Sequence, residues 1–206
     1  MISPRRRESV AEGRAKKAEV EDPTVVLEAA LRFLEVRQRS VAEVRRRLTR
    51  AGYREELVTG VIARLGDLGF LDDEAFAQAW IESRDRAHPR GEHALMLELR
   101  QKGLEAPTIA AALRARREAA VRWDADAGDG TELGPVRSAD EDAARRLLAR
   151  HGRALERIMD PRSRRQRAYA LLARHGFSPE VAAQFAAEVA RSASAVEDAD
   201  PEHRTD

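Results

Sequence analysis

The chain is 206 residues long and has no cysteine, so neither a disulfide framework nor thiolate chemistry is open to it, and a reducing cytosol suits it. Charged side chains make up 35% of it and aromatics 4%, with a net charge of +1; this argues against one large apolar core and for small modules of Leu, Val and Ala that lean on one another. The first twenty residues carry charges throughout and lack an apolar run, so neither a signal peptide nor a membrane span is expected there.

Residues 1–21 read as a disordered charged arm with a basic run at Arg5, Arg6 and Arg7. Asp22 and Pro23 supply a helix cap and a first-position proline, and Leu27, Leu31 and Leu34 recur behind them at helical spacing. Ser40 to Glu43 is a capping box; Val44 and Leu48 line one face of the helix it opens, and Gly52, followed by Tyr53, ends that helix. Val58, Val61, Ile62 and Leu65 mark a third helix and complete a first repeat over 22–70. The order returns over 71–122, where Phe76, Trp80 and Ser83 are followed by Leu95, Leu99, Gly103 and Leu104, and then by Ile109, Ala112 and Leu113. An acidic Gly-rich loop over 123–137, centred on Asp124 to Pro135, is inserted next. A third repeat over 138–191 has a capping box from Ser138 to Glu141, then Ala144, Leu147 and Leu148. Its second helix starts at Asp160 and Pro161 and carries Ala168, Leu172, Gly176 and Phe177; Ser178 and Pro179 open the last, with Val181, Phe185 and Val189. Residues 192–206 form an acidic tail, expected to be disordered. The predicted fold is all-α: three tandem three-helix repeats of helix-turn-helix character, nine helices in an elongated curved array.

Catalytic signatures are missing. His88, His93, His151, His175 and His203 have no HExxH spacing, no Gly-rich loop is built to cradle phosphate, and no GxSxG elbow is present. No enzyme activity, metal or other cofactor is therefore expected. Asp72, Asp73 and Glu74, with Asp67 nearby, are the one dense carboxylate cluster in a repeat; they read as a helix cap and partners of its dipole, with a magnesium nuclease as a remote alternative.

The cations say more. Residues 143–191 carry 11 basic and 4 acidic side chains, whereas 124–142 carry 1 and 7 and the tail 1 and 5, so the third repeat is electropositive and flanked by acids able to screen it. In the first repeat Arg45, Arg46, Arg47 and Arg50 share a helix with Val44 and Leu48, and helical geometry turns Arg46 and Arg50 away from that core. In the second, Arg84, Arg86 and Arg90 precede the corresponding helix and Lys102 ends it; in the third, Arg162, Arg164, Arg165 and Arg167 open that helix and Arg174 stands where Arg50 does. Basic groups at comparable places on successive modules suit a periodic polyanionic ligand. Trp80 is assigned to the core and Trp123 is a candidate for base stacking.

The stretch from Ser40 through Leu48 to Gly52 and Tyr53, the run from Leu65 through Gly69, Phe70 and Asp72–Glu74 to Phe76 and Ala77, and the segment from Arg90 and Gly91 through Leu95, Glu98 and Leu99 to Gly103 and Leu104 resemble the RecX regulatory proteins of bacteria. The likeness spans about residues 25–190 and is strongest over 25–113. It implies a non-enzymatic modulator that binds the RecA filament on single-stranded DNA and inhibits RecA's ATPase and strand exchange; a monomer in the cytoplasm is expected. The thirteen cations of the three clusters are then the expected contacts to RecA or DNA. A helix-turn-helix protein that acts directly on DNA is the alternative.

Overall fold

The computed structural model describes residues 9–126 and 138–197, and every regular element among them is an α-helix. Three repeats follow one another: α2 (Pro23–Leu34), α3 (Val41–Ala51) and α4 (Glu55–Asp67); α5 (Asp73–Ala87), α6 (Glu92–Lys102) and α7 (Ala106–Asp126); α8 (Ala139–Glu156), α9 (Pro161–Arg174) and α10 (Pro179–Glu197). A further helix, α1 (Val10–Ala18), lies in the segment expected to be a disordered arm. It has a capping box of its own, in which Ser9 Oγ accepts the Glu12 N–H and the Glu12 carboxylate accepts the Ser9 N–H. Two other boundaries move outward. α7 runs to Asp126 and α10 to Glu197, past the expected starts of the loop and the tail, because no Gly or Pro interrupts either helix before Gly128 or Pro201. Arg5–Arg7, the remainder of the acidic loop and residues 198–206 lie outside the described residues.

Helix starts follow the local chemistry. Asp22 and Asp160 each cap a helix with proline at its first position, and Ser40 and Ser138 form capping boxes with Glu43 and Glu141. The helices make two compact units, one comprising residues up to Ala77 with Arg100–Thr108, the other Gln78–Leu99 with residues from Ile109 onward. In the first, α2, α3 and α4 close over Val26, Ala30, Val44, Leu48, Val58, Val61 and Leu65. In the second, α8, α9 and α10 close over Ala144, Leu147, Leu155, Ala168, Leu172, Phe177 and Phe185. The middle repeat is shared out between them, and Trp80 on it is half-buried rather than core, its indole N–H donating to Glu98 at 2.9 Å.

The glycine that ends the second helix of each repeat is also the place where the preceding element rests. Gly52, Gly103 and Gly176 have φ of 107°, 87° and 80°, the left-handed turn that costs other residues steric strain. A Cβ on Gly52 would stand 2.7 Å from the Arg14 carbonyl of α1, one on Gly103 2.4 Å from the Ala42 Cβ of α3, and one on Gly176 2.4 Å from the Ala94 Cβ of α6. α1 thus takes for the first repeat the place that α3 and α6 take for the next two, and closes an end that a repeat protein must otherwise leave open.

Two joints of the same design result, one inside each unit. In the first, fully buried Ser40 donates its hydroxyl to the Lys102 carbonyl at 2.7 Å, and the Val41 N–H donates to Asp73 Oδ1 at 2.9 Å. In the second, the Gly91 N–H donates to the His175 carbonyl at 3.0 Å, and the Glu92 N–H donates to Asp140 Oδ2 at 3.1 Å. Each time, the carbonyl before the left-handed glycine accepts from the residue that precedes a helix, and an acid from the next repeat accepts that helix's first amide. Orphan groups at helix ends are satisfied between repeats.

Candidate functional site

The thirteen cations singled out from sequence separate into two classes. Arg45 is ion-paired with Glu55 and donates to Thr59 Oγ1 at 3.0 Å. Arg84 reaches Glu98 at 2.6 Å with its guanidinium 4.5 Å from the Trp80 ring, and Arg90 lies 3.5 Å from the same carboxylate. Lys102 pairs with Glu43 at 2.9 Å. Burial pushes the Glu43 carboxyl up, yet hydrogen bonds from Lys102 and Ser40 and the charge of Arg37 outweigh it and hold the group below the usual carboxylate range. Arg164 is a correction to its expected role as a surface contact: it is only 6% exposed, and its Nε and Nη2 donate to the Ile158 carbonyl at 2.9 and 2.7 Å, fastening the turn between α8 and α9. Its place one helical turn before buried Ala168 put it on the core stripe of α9.

The other eight are exposed and have no carboxylate partner among the described residues: Arg46, Arg47 and Arg50 on α3, Arg86 on α5, and Arg162, Arg165, Arg167 and Arg174 on α9. Arg46 is steadied by backbone alone, its Nε donating to the Ala42 carbonyl at 3.2 Å and its Nη2 to that of Lys102 at 3.4 Å. Arg47 lies 5.7 Å from the Phe33 ring, and Arg174 Nε donates to the Ala170 carbonyl at 3.2 Å. These contacts orient the side chains and leave their charge uncancelled. An exposed guanidinium with an open fork is what phosphate or carboxylate recognition needs.

Arg167 and Arg174 belong to a groove of about 500 Å³ between α8 and α9. Ala154, Leu155, Ile158 and Leu171 give it apolar walls, and its polar lining is His151, Ser163 and the two arginines. No carboxylate lines it. Beside it, burial holds His175 below the ordinary histidine range; the hydrogen-bond contact of its Nδ1 with the Leu171 carbonyl opposes this, while the positive charge of Arg90, His151 and Arg174 reinforces it.

Asp72 and Asp73 do other work than the remote nuclease reading required. Asp72 Oδ1 accepts the Glu74 and Ala75 amides at 2.8 and 2.9 Å and so caps α5, while Asp73 is engaged in the first joint. Burial raises the Asp73 carboxyl above its ordinary value.

Sequence reading passed over Arg116. Its side chain is 5% exposed, its Nε and Nη2 each donate to an Asp85 oxygen at 2.9 Å, and its Nη1 donates to Asp140 at 2.6 Å. Burial alone would lower its pKa; the two carboxylates reverse the sign and raise it. The signal was present, since Arg116 stands three and four residues after buried Leu113 and Ala112 on the inward face of α7.

The chain matches the family models described as the first three-helix domain of RecX, over residues 27–65, and the second, over residues 72–113. It is 36% identical over 155 residues to the regulatory protein RecX of Mycobacterium sp. (strain KMS), with 74% of each chain covered. With that of Mycobacterium avium (strain 104) it shares 35% identity over 155 residues, covering 75% of this chain and 78% of the relative. Among solved structures, RecX from Lactobacillus salivarius superposes with a TM-score of 0.60 at 17% identity, over 85% of this chain and 98% of that one. With α2–α4 and α5–α7 falling on the two matched domains and the identity carried over three quarters of the sequence, this chain belongs to the RecX family of regulatory proteins.

Proposed function

We propose that this protein binds the filament that RecA forms on single-stranded DNA and lowers its activity, in ATP hydrolysis, strand exchange and filament growth, as a non-enzymatic cytoplasmic regulator of recombination, DNA repair and the SOS response. Membership of the RecX family supports the reading, and so does the division among the cations. Eight exposed arginines, on repeats one, two and three, keep their charge, while Arg45, Arg84, Arg90 and Lys102 are spent on internal carboxylates. Contacts spread over successive modules and weak one by one add up through their linkage. A regulator of this kind works by preferring one arrangement of its partner over another.

RecA ATPase on single-stranded DNA, titrated with wild type and with Arg46→Glu/Arg50→Glu, tests the proposal. Wild type is expected to inhibit at near-stoichiometric amounts, and the double variant to need at least about tenfold more protein with unchanged helicity by circular dichroism, since two charges are reversed at the contact. A wild-type protein without effect at stoichiometric excess would overturn the reading. Tight, sequence-dependent binding to naked duplex would instead favour direct DNA recognition.

A further inference from the structure

The groove of the third repeat is cationic and apolar-walled, and no carboxylate is among the residues that line it. We infer that it is a receptor for acidic chain, and that its occupant in the free protein is this chain's own segment 198–206.

Charge complementarity comes first. The segment reads Asp198-Ala-Asp-Pro-Glu-His-Arg-Thr-Asp206, four acids to one arginine, while Arg167 and Arg174 have no carboxylate partner among the described residues. α9 itself contains no acid, and the nearest in sequence, Asp160, is committed to the Arg162 and Ser163 amides and the Ser163 hydroxyl. The cations of this groove therefore lack the internal neutralisation that Arg84, Lys102 and Arg116 receive.

Reach comes second. α10, 19 residues long, returns along the 14-residue α9 after the short turn at Gly176, packed against it at least as far as Val189. Being five residues longer, α10 ends about 7 Å beyond the end of α9 where Arg162 and Ser163 stand, the near mouth of the groove. From Ser163 to Arg174 the groove follows α9 for about 16 Å at 1.5 Å per residue. Nine extended residues span about 30 Å, enough to return over the end of α9 and enter the groove as far as Arg167, with the last residues directed toward Arg174. Acids along the segment then face Arg167 and Arg174, and Ala199 and Pro201 meet the walls made by Leu155, Ile158 and Leu171. The same arginines are among the proposed partner contacts, so the segment competes with whatever polyanion the protein meets.

The absence of native cysteine makes the test direct. A nitroxide on Thr205→Cys in the full chain should broaden the amide resonances of His151, Ser163, Arg167 and Arg174. Adding Arg167→Glu/Arg174→Glu, two exposed positions, should abolish the broadening with helicity unchanged. In parallel, a fluorescent peptide of residues 195–206 should bind the full chain carrying Asp198→Asn, Asp200→Asn, Glu202→Gln and Asp206→Asn at least tenfold more tightly than wild type, whose own segment occupies the site. Broadening at Arg46 and Arg50 instead, broadening that survives reversal of both groove charges, or equal peptide affinity for the two proteins would each overturn the proposal. RecA plays no part in these measurements, so their outcome is separate from that of the function proposed above.

Discussion

The two joints between repeats have the same plan and are held by different chemistry. The first is fastened by a serine hydroxyl and by Lys102 on Glu43, whose side chains are 20% and 14% exposed. The second replaces the serine with the backbone amide of Gly91, which a Cβ could not approach because it would fall 2.2 Å from the Gly176 carbonyl, and adds buried Arg116 between Asp85 and Asp140. Removing fully buried Ser40 leaves the Lys102 carbonyl without its hydroxyl donor, a loss of about 1–3 kcal/mol. An arginine between two carboxylates leaves uncompensated charge when it is removed. One topological contact can thus be built around a neutral hydrogen bond or around a buried guanidinium, and the choice fixes how much is lost when it is cut.

The largest effect should follow Arg116→Ala, which takes the Arg116 charge from Asp140 and leaves Asp85 with Arg146 at 3.8 Å; removing one partner of a buried ion pair costs about 3–5 kcal/mol, measurable by urea unfolding. A loss below about 1 kcal/mol, the level of exposed pairs, would erase the distinction between the joints. Next come Gly103→Ala and Gly176→Ala, in which positive φ combines with a 2.4 Å approach to Ala42 or Ala94. Each is expected to cost about 1–3 kcal/mol, Gly176→Ala the more of the two, because its Cβ would also meet the Ala94 backbone nitrogen at 2.5 Å. Ala42→Gly should recover part of the first loss and none of the second, a double-mutant cycle that reads the contact directly. The smallest effect concerns pH and arises at Glu43 in the first joint. The Glu43 carboxyl is held below its unfolded value, so the unfolded chain takes up its proton first and the stability Glu43 contributes is complete above the ordinary carboxylate range. It is lost as pH falls through that range, and Glu43→Gln should flatten this limb of stability against pH.

Sequence alone determined the helices, their caps and their threefold recurrence, because each depends on neighbours within four residues: a capping box at Ser40 or Ser138, apolar spacing at Val44 and Leu48, a glycine at 52, 103 and 176. It also separated the buried face of α3 from Arg46 and Arg50. Tertiary structure decided everything that depends on where a second element lies. Arg164 and Arg116 carry the same charge as Arg167, and only packing against the Ile158 carbonyl, or between Asp85 and Asp140, turns them from surface groups into fasteners. α1 was hidden for the same reason: nine residues make a helix too short to persist by its own hydrogen bonds, and its place against Gly52 is a contact made across the fold. Local rules are written residue by residue, whereas the fate of a charge is set by neighbours dozens of residues away.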